Sequence, residues 1–451
     1  MTALKTLIVA IFVCLSATVA FIAVAWRPSI DPIDPPPAKS FEAHLVEQGA
    51  ELAAIGGCNT CHTAPGGQAF AGGLGLPTPF GTIYATNITP DAETGIGRWS
   101  QEAFRRGMRE GVDRVGRHLY PAFPYDHFTL ITDEDVSALY AYFMTREPVR
   151  ATTPANDVAF PLNVRLLIAG WKLLYLRPGP YQLDPAQSRA WNRGAYLVEG
   201  LAHCGACHTP RNTLGAEKQQ DRFGGGLAEG FAAYALDQTS PASVPWDATA
   251  LRFYLRNGWH EAHGVAFGPM APVIDNLDAL STADLDAICA YMAPILGASR
   301  MGPGASQAMV ERGKAAKPAT DAAASGGKIY QSACAPCHQG GRPLPFGGID
   351  LALSTALSAP SARNVINVVL WGLPPAEGER NPIMPGFAGA LNDEQLALLL
   401  AYLRPRFSDK PPWSDIETEI RDARTGRLPR AYPAPGSDPT QTLVSQRVSQ
   451  P

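Results

Sequence analysis

Six of the eight cysteines fall into three copies of one pattern: Cys58-Asn59-Thr60-Cys61-His62, Cys204-Gly205-Ala206-Cys207-His208 and Cys334-Ala335-Pro336-Cys337-His338. On a helix, residues i and i+3 share a face, so two thiols spaced in this way can reach the two vinyl groups of one porphyrin. The histidine that follows then lies beneath the ring and supplies an axial nitrogen to the iron. Zinc is the competing chemistry, but a structural zinc site gathers four sulfur or nitrogen ligands from paired knuckles. Three isolated copies do not pair in that manner, so the pattern implies three covalently bound haem c groups. Cys58, Cys61, Cys204, Cys207, Cys334 and Cys337 are the attachment residues, with His62, His208 and His338 on the iron. Cys14 and Cys289 stand outside the pattern and read as small buried residues.

An iron that only carries electrons takes a sixth ligand, commonly a methionine sulfur on a loop ahead of the last helix. Met270, in Gly268-Pro-Met-Ala-Pro272, and Met384, in Pro382-Ile-Met-Pro385, sit in such loops at matching offsets. The first segment places Phe123 at this point, and phenylalanine cannot ligate iron. His127, the nearest donor on the same loop, is read as the ligand there, with His118 or an open site as alternatives. Met108 and Met144 are assigned to helix packing.

Each motif must be positioned by helices before and after it. Thr132, Ser281 and Asn392 each stand three residues ahead of an acidic or amide residue, the signature of a helix N-cap. Ala141-Tyr142, Ala290-Tyr291 and Ala401-Tyr402 follow at a constant offset, with apolar residues between them at helical spacing. Ahead of each motif runs a helical stretch carrying Gly49, Gly194 or Gly327; glycine inside a helix is unfavourable unless backbones approach closely. The chain thus reads as mainly α, with cytochrome c-like domains over 40–150, 186–300 and 323–406. An apolar insert over 151–185, a small-residue linker over 301–322 and a partly disordered tail over 407–451 complete it.

The chain has 451 residues, enough for several cores, with 17% charged residues, 43 Gly and 41 Pro. The net charge of −4 leaves no basic field for nucleic acid. Leu7–Trp26 is a charge-free run between Lys5 and Arg27, long enough for a transmembrane helix over 1–30. It is read as an uncleaved anchor in preference to a signal cleaved at Ala23-Val24-Ala25. Either reading exports the rest of the chain, which agrees with the compartment in which bacteria attach haem to this motif. In the insert, Arg165, Lys172 and Arg177 alternate with leucines beside Trp171 and Tyr175, a combination suited to a helix lying flat at the headgroup boundary.

Thr78-Pro-Phe-Gly-Thr-Ile-Tyr-Ala-Thr-Asn-Ile-Thr-Pro-Asp91, Tyr120-Pro-Ala-Phe-Pro-Tyr125 and Cys204-Gly-Ala-Cys-His-Thr-Pro210, with Met270 and Met384 downstream, carry a family resemblance over about residues 40–425. The chain resembles the three-haem cytochrome c subunits of bacterial membrane-bound dehydrogenase complexes. The resemblance implies an electron-transfer subunit, not the substrate-oxidising one, that passes electrons from a periplasmic dehydrogenase to membrane ubiquinone. It implies haem domains on the periplasmic side of the cytoplasmic membrane, and helix crossings that pair Gly49 with Tyr142, Gly194 with Tyr291 and Gly327 with Tyr402. Partners in the family are quinoproteins, flavoproteins and molybdenum hydroxylases; Phe123 is most similar to the molybdenum-hydroxylase branch. A haem enzyme of peroxidase type, using an open iron in the first domain, is the contrasting class, and a soluble carrier without a fixed partner is the third.

Overall fold

The local signals form the elements they predict. In the computed structural model, which describes residues 2–297, 311, 321–339, 348–373 and 384–425, the side chains of Thr132, Ser281 and Asn392 accept hydrogen bonds from the backbone N–H groups of Asp135, Asp284 and Gln395. At Asn392 the return bond is also made, its N–H donating to Gln395 Oε1 at 3.0 Å. These caps start three closing helices, Asp133–Met144, Thr282–Ile295 and Asp393–Phe407.

Each closing helix packs against a leading helix: Ala43–Ile55, Arg189–Tyr196 and Asp321–Ala333. The second leading helix runs on through a π turn, Leu197–Leu201. The crossings depend on glycine. A Cβ at Gly49 would sit 2.0 Å from the Ala138 carbonyl oxygen, and one at Gly194 1.9 Å from that of Ala287, with Tyr142 and Tyr291 closing the contact. In the third unit the crossing residue is Gly326, 2.0 Å from Leu398 O, and not Gly327, whose added Cβ would face the Tyr402 ring at 3.1 Å. Adjacent glycines satisfy the same local pattern, and packing selects between them.

Between motif and closing helix, each unit inserts a wall helix: Gln101–Glu110, Ala248–Asn257 and Arg363–Trp371. All three end at a glycine with positive φ, Gly111 (59°), Gly258 (74°) and Gly372 (76°), where a side chain would be strained. Short hairpins, Gly75–Thr78 with Gly81–Tyr84 and Gly226–Ala228 with Phe231–Ala233, lie beside the first two motifs.

The expectation of one apolar interior per domain is corrected for the first two units. Their buried residues, from Leu52 and Phe104 through Leu139 to Leu197, Leu201 and Ile288, form one continuous core. The third unit keeps its own, and that core runs past residue 406 to Trp413, Ile420 and Ala423, carried by the helix Ile416–Arg424. Cys289 is buried as expected, whereas Cys14 is exposed on the N-terminal helix. Most of the linker 301–322 and the tail beyond residue 425 lie outside the described residues.

The N-terminal helix Thr2–Ala25 is long and apolar enough to cross a membrane. Its end is docked on the first unit, since His118 Nε2 donates to Ala25 O at 2.7 Å and Gly116 lies against the Arg27 carbonyl. It also packs on the insert helix Ile168–Tyr175. Two of the three basic residues expected at a surface, Arg165 and Lys172, turn inward instead. Lys172 is buried and donates to Glu110 O and Gly111 O, each at 2.6 Å, while Arg165 donates to His118 O. Trp171 donates to Leu214 O and meets Tyr125 edge-on. Arg177, beyond the helix, stays exposed, and around it the insert exposes Phe160, Leu162, Val164, Leu167, Leu173 and Leu174.

Candidate haem sites

Each motif forms a short helix, Cys58–His62, Gly205–His208 and Ala335–His338, directly after a leading helix. The six motif cysteines are free thiols. Burial pushes Cys58 and Cys204 up to about 12, and Cys61, Cys207 and Cys334 up to about 11, so they stand as neutral thiols in apolar surroundings.

The three histidines share one arrangement. His62 Nδ1 meets Thr86 O at 2.6 Å, His208 Nδ1 meets Tyr234 O at 2.7 Å and His338 Nδ1 meets Ile349 O at 2.9 Å. A carbonyl can only accept, so Nδ1 carries a proton, and in the neutral ring Nε2 is the nitrogen that holds the lone pair. This is how a metal-ligating imidazole is oriented: the outer bond sets tautomer and ring angle and raises ligand basicity. Burial also holds His62 and His208 below the usual imidazole range, which favours the neutral, ligating form. None of the three carbonyls belongs to the motif itself.

The second and third motifs face a single cavity of about 430 Å³. Cys207, His208 and Met270 line one part of it, and Cys337, His338 and Met384 another. Met270, which opens the helix Met270–Leu277 where a loop was expected, and Met384 are thus brought to the cavity that holds the histidines they were expected to oppose. His263 Nδ1 and Thr355 Oγ1 are buried in its wall with no hydrogen-bond partner among the described residues, polar atoms left for a bound group to satisfy. Free paired thiols, histidines oriented through Nδ1 and a large apolar cavity with such atoms fit a haem.

The sites adjoin. Asn364 of the third wall helix exchanges two hydrogen bonds with the backbone of Ala232, at 2.9 and 2.8 Å. That strand leads into Tyr234, whose carbonyl orients His208. Between the first two motifs, Asn276 donates to Thr60 at 3.2 Å, and Glu229 acts electrostatically on both Cys61 and Cys207.

His127 takes a different place from the one expected. Its Nδ1 donates to Glu199 O at 2.6 Å and its Nε2 to the Glu217 carboxylate at 2.7 Å, both groups of the second unit. A Cβ at Gly205 would lie 3.3 Å from its Cε1, so the ring ties the first loop to the second motif. His118 is likewise engaged at both nitrogens, by Ala25 O and by Lys172 Nζ at 3.1 Å. Neither histidine has a ring nitrogen left for iron in this arrangement. Phe123 packs against Phe128 with ring centroids 5.3 Å apart. Sequence reasoning missed the three carbonyl partners, His263, Asn364 and Glu217; none has a local signal, since each acts across the fold.

The model of the family described as "Cytochrome c" matches residues 46–147, and that of "Cytochrome C oxidase, cbb3-type, subunit III" matches 321–403. The gluconate 2-dehydrogenase cytochrome c subunit of Pantoea cypripedii is 38% identical over 381 residues, covering 80% of this chain and 85% of that one. The chain belongs to the family of dehydrogenase cytochrome c subunits. The fructose dehydrogenase cytochrome subunit of Gluconobacter japonicus is 33% identical, with 84% and 82% covered. A nicotinate dehydrogenase subunit of Pseudomonas putida is 46% identical over 409 residues, which cover 89% of this chain but 34% of that protein, so the chain spans about a third of its length. As a cytochrome c subunit, the chain carries covalently bound haem c and transfers electrons; it is not the substrate-oxidising subunit.

Proposed function

We propose that this chain binds three haems and relays electrons from a catalytic dehydrogenase subunit on the periplasmic side to ubiquinone in the cytoplasmic membrane. The carrying observation is the threefold recurrence of a histidine held at Nδ1 by a backbone carbonyl beside two free thiols. Haem at such sites supplies a reversible one-electron iron couple. The cysteines would anchor each ring, the histidine Nε2 would bind one face of the iron, and Met270 and Met384 would bind the other face in the second and third units. The shared core of units one and two, and the shared cavity of units two and three, support a continuous three-site path. The nicotinate dehydrogenase relative supports a molybdenum-hydroxylase partner acting on an N-heterocycle or aldehyde, in line with Phe123. The test is to reduce the purified chain in detergent, count haem per chain, and add a short-chain ubiquinone. Three haems, all reoxidised, are expected; fewer than three, or no reoxidation, overturns the reading.

Membrane docking rests mainly on leucines, with Arg177 the one exposed cation of the expected belt. Leu167, Leu173 and Leu174 are exposed on the insert that packs against the N-terminal helix, so the apolar surface is continuous with the anchor. In a chain truncated before Ala25, replacing the three leucines with Ser is expected to abolish residual liposome binding while haem content stays unchanged. Equal binding by both truncated chains would make the insert a domain connector.

A further inference from the structure

We propose that Met108 supplies the sixth ligand to the iron of the first unit. This rests on the reading that Cys58–His62 holds a haem. The three wall helices share a register set by the glycine that ends each. Seven, four and three residues before that glycine stand Leu251, Tyr254 and Leu255 in unit two, and Val365, Val368 and Val369 in unit three; all six line the haem cavity. This is one helix face, i, i+3 and i+4. The same positions in unit one are Phe104, Gly107 and Met108, and Met108 is buried.

Twelve residues after the same glycines stand Met270 and Met384 in units two and three, and Phe123 in unit one. Units two and three therefore carry sulfur after the wall helix, at a helix start or on a loop, and a branched aliphatic on the wall helix itself. Unit one carries the ring on the loop and the sulfur on the wall helix. The exchange keeps one thioether and one bulky apolar group facing the site, and the unbranched, flexible methionine side chain suits a ligand presented from a helix.

The two histidines of the first unit's own loop are accounted for, and His203, reaching in from the second unit, meets the Gly56 carbonyl at 3.3 Å through Nε2. His127 and His118 are engaged at both nitrogens. Met144 corresponds to Arg404, two residues after the closing tyrosine, and Arg404 donates to Ala359 O at 2.7 Å in the interior of its unit. The assignment of Met108 to plain helix packing is thereby revised.

The wild-type ferrous protein provides the first test. Three methionine methyl signals, shifted far upfield by haem ring currents, are expected by NMR, and two would overturn the assignment. In the full chain, Met108→Leu keeps the volume but removes the sulfur. Expected are three covalent haems, loss of one methyl signal, and conversion of about one third of the iron to high spin. Adding Phe123→Met is expected to return that third to low spin. A Met108→Leu protein that retains every low-spin signal sinks the proposal. Should that variant lose a haem outright, the wild-type signal count decides. A wild type whose Cys58–His62 peptide carries no haem would instead fail the reading of the first site.

Discussion

A Cys207→Ala chain is expected to carry one covalent haem fewer than the wild type, two in place of the proposed three. Cys207 lines the cavity together with His208 and Met270, so a ring anchored there fills much of the interior of the second unit. Removing one thioether leaves Cys204 as the only tether, which is expected to be too little for stable attachment, and without the ring the apolar cavity has no bulky group to close on. The damage is expected to spread unevenly. Units one and two share a core, so both should become susceptible to proteolysis, whereas the third unit buries Tyr330, Ile366 and Leu399 in its own core and should survive. Haem stoichiometry and limited proteolysis with fragment mass analysis read both effects. Cys14→Ser is the control: Cys14 is exposed on the N-terminal helix, and its loss should leave three haems. A Cys207→Ala chain with full haem content would show that this motif does not hold its ring through two thioethers.

The second large effect is expected from a single methyl group. Gly194→Ala places a Cβ 1.9 Å from the Ala287 carbonyl oxygen, an overlap with helix backbone that no side-chain rotation relieves. The leading and closing helices of unit two must then part. Overpacking of this kind costs about 3 kcal/mol, or more where the backbone is rigid. Gly389→Ala is the comparison, since a Cβ there meets nothing within 4 Å and should change stability by no more than about 0.5 kcal/mol. Denaturant midpoints of the two haem-loaded variants measure the difference. Equal midpoints would mean that the crossing is not held by glycine contact.

The membrane surface shows how a correct local reading can meet a different tertiary outcome. Arg165 and Lys172 beside Trp171 suggested a headgroup belt. In the fold the two cations instead satisfy the carbonyls of His118, Glu110 and Gly111, and the indole turns toward Leu214. The apolar half of the pattern survives as the exposed leucines, because leucine has no polar atom that the interior could claim.

What the sequence determined by itself is what short-range spacing can encode. The paired thiols with an adjacent histidine, the capped closing helices and the positions of Met270 and Met384 depend on residues close in the chain, so their chemistry was legible without coordinates. Tertiary structure decided what depends on partners far away. His62, His208 and His338 acquire their orienting carbonyls from Thr86, Tyr234 and Ile349. His127, an eligible ligand by proximity on its loop, is claimed instead by Glu199 and Glu217 of the next unit. Gly326 displaces Gly327 at the third crossing because only helix packing distinguishes neighbouring glycines. A hydrogen bond or a close helix contact is directional and short-ranged in space, so chain spacing alone cannot say which of several eligible groups will be within reach.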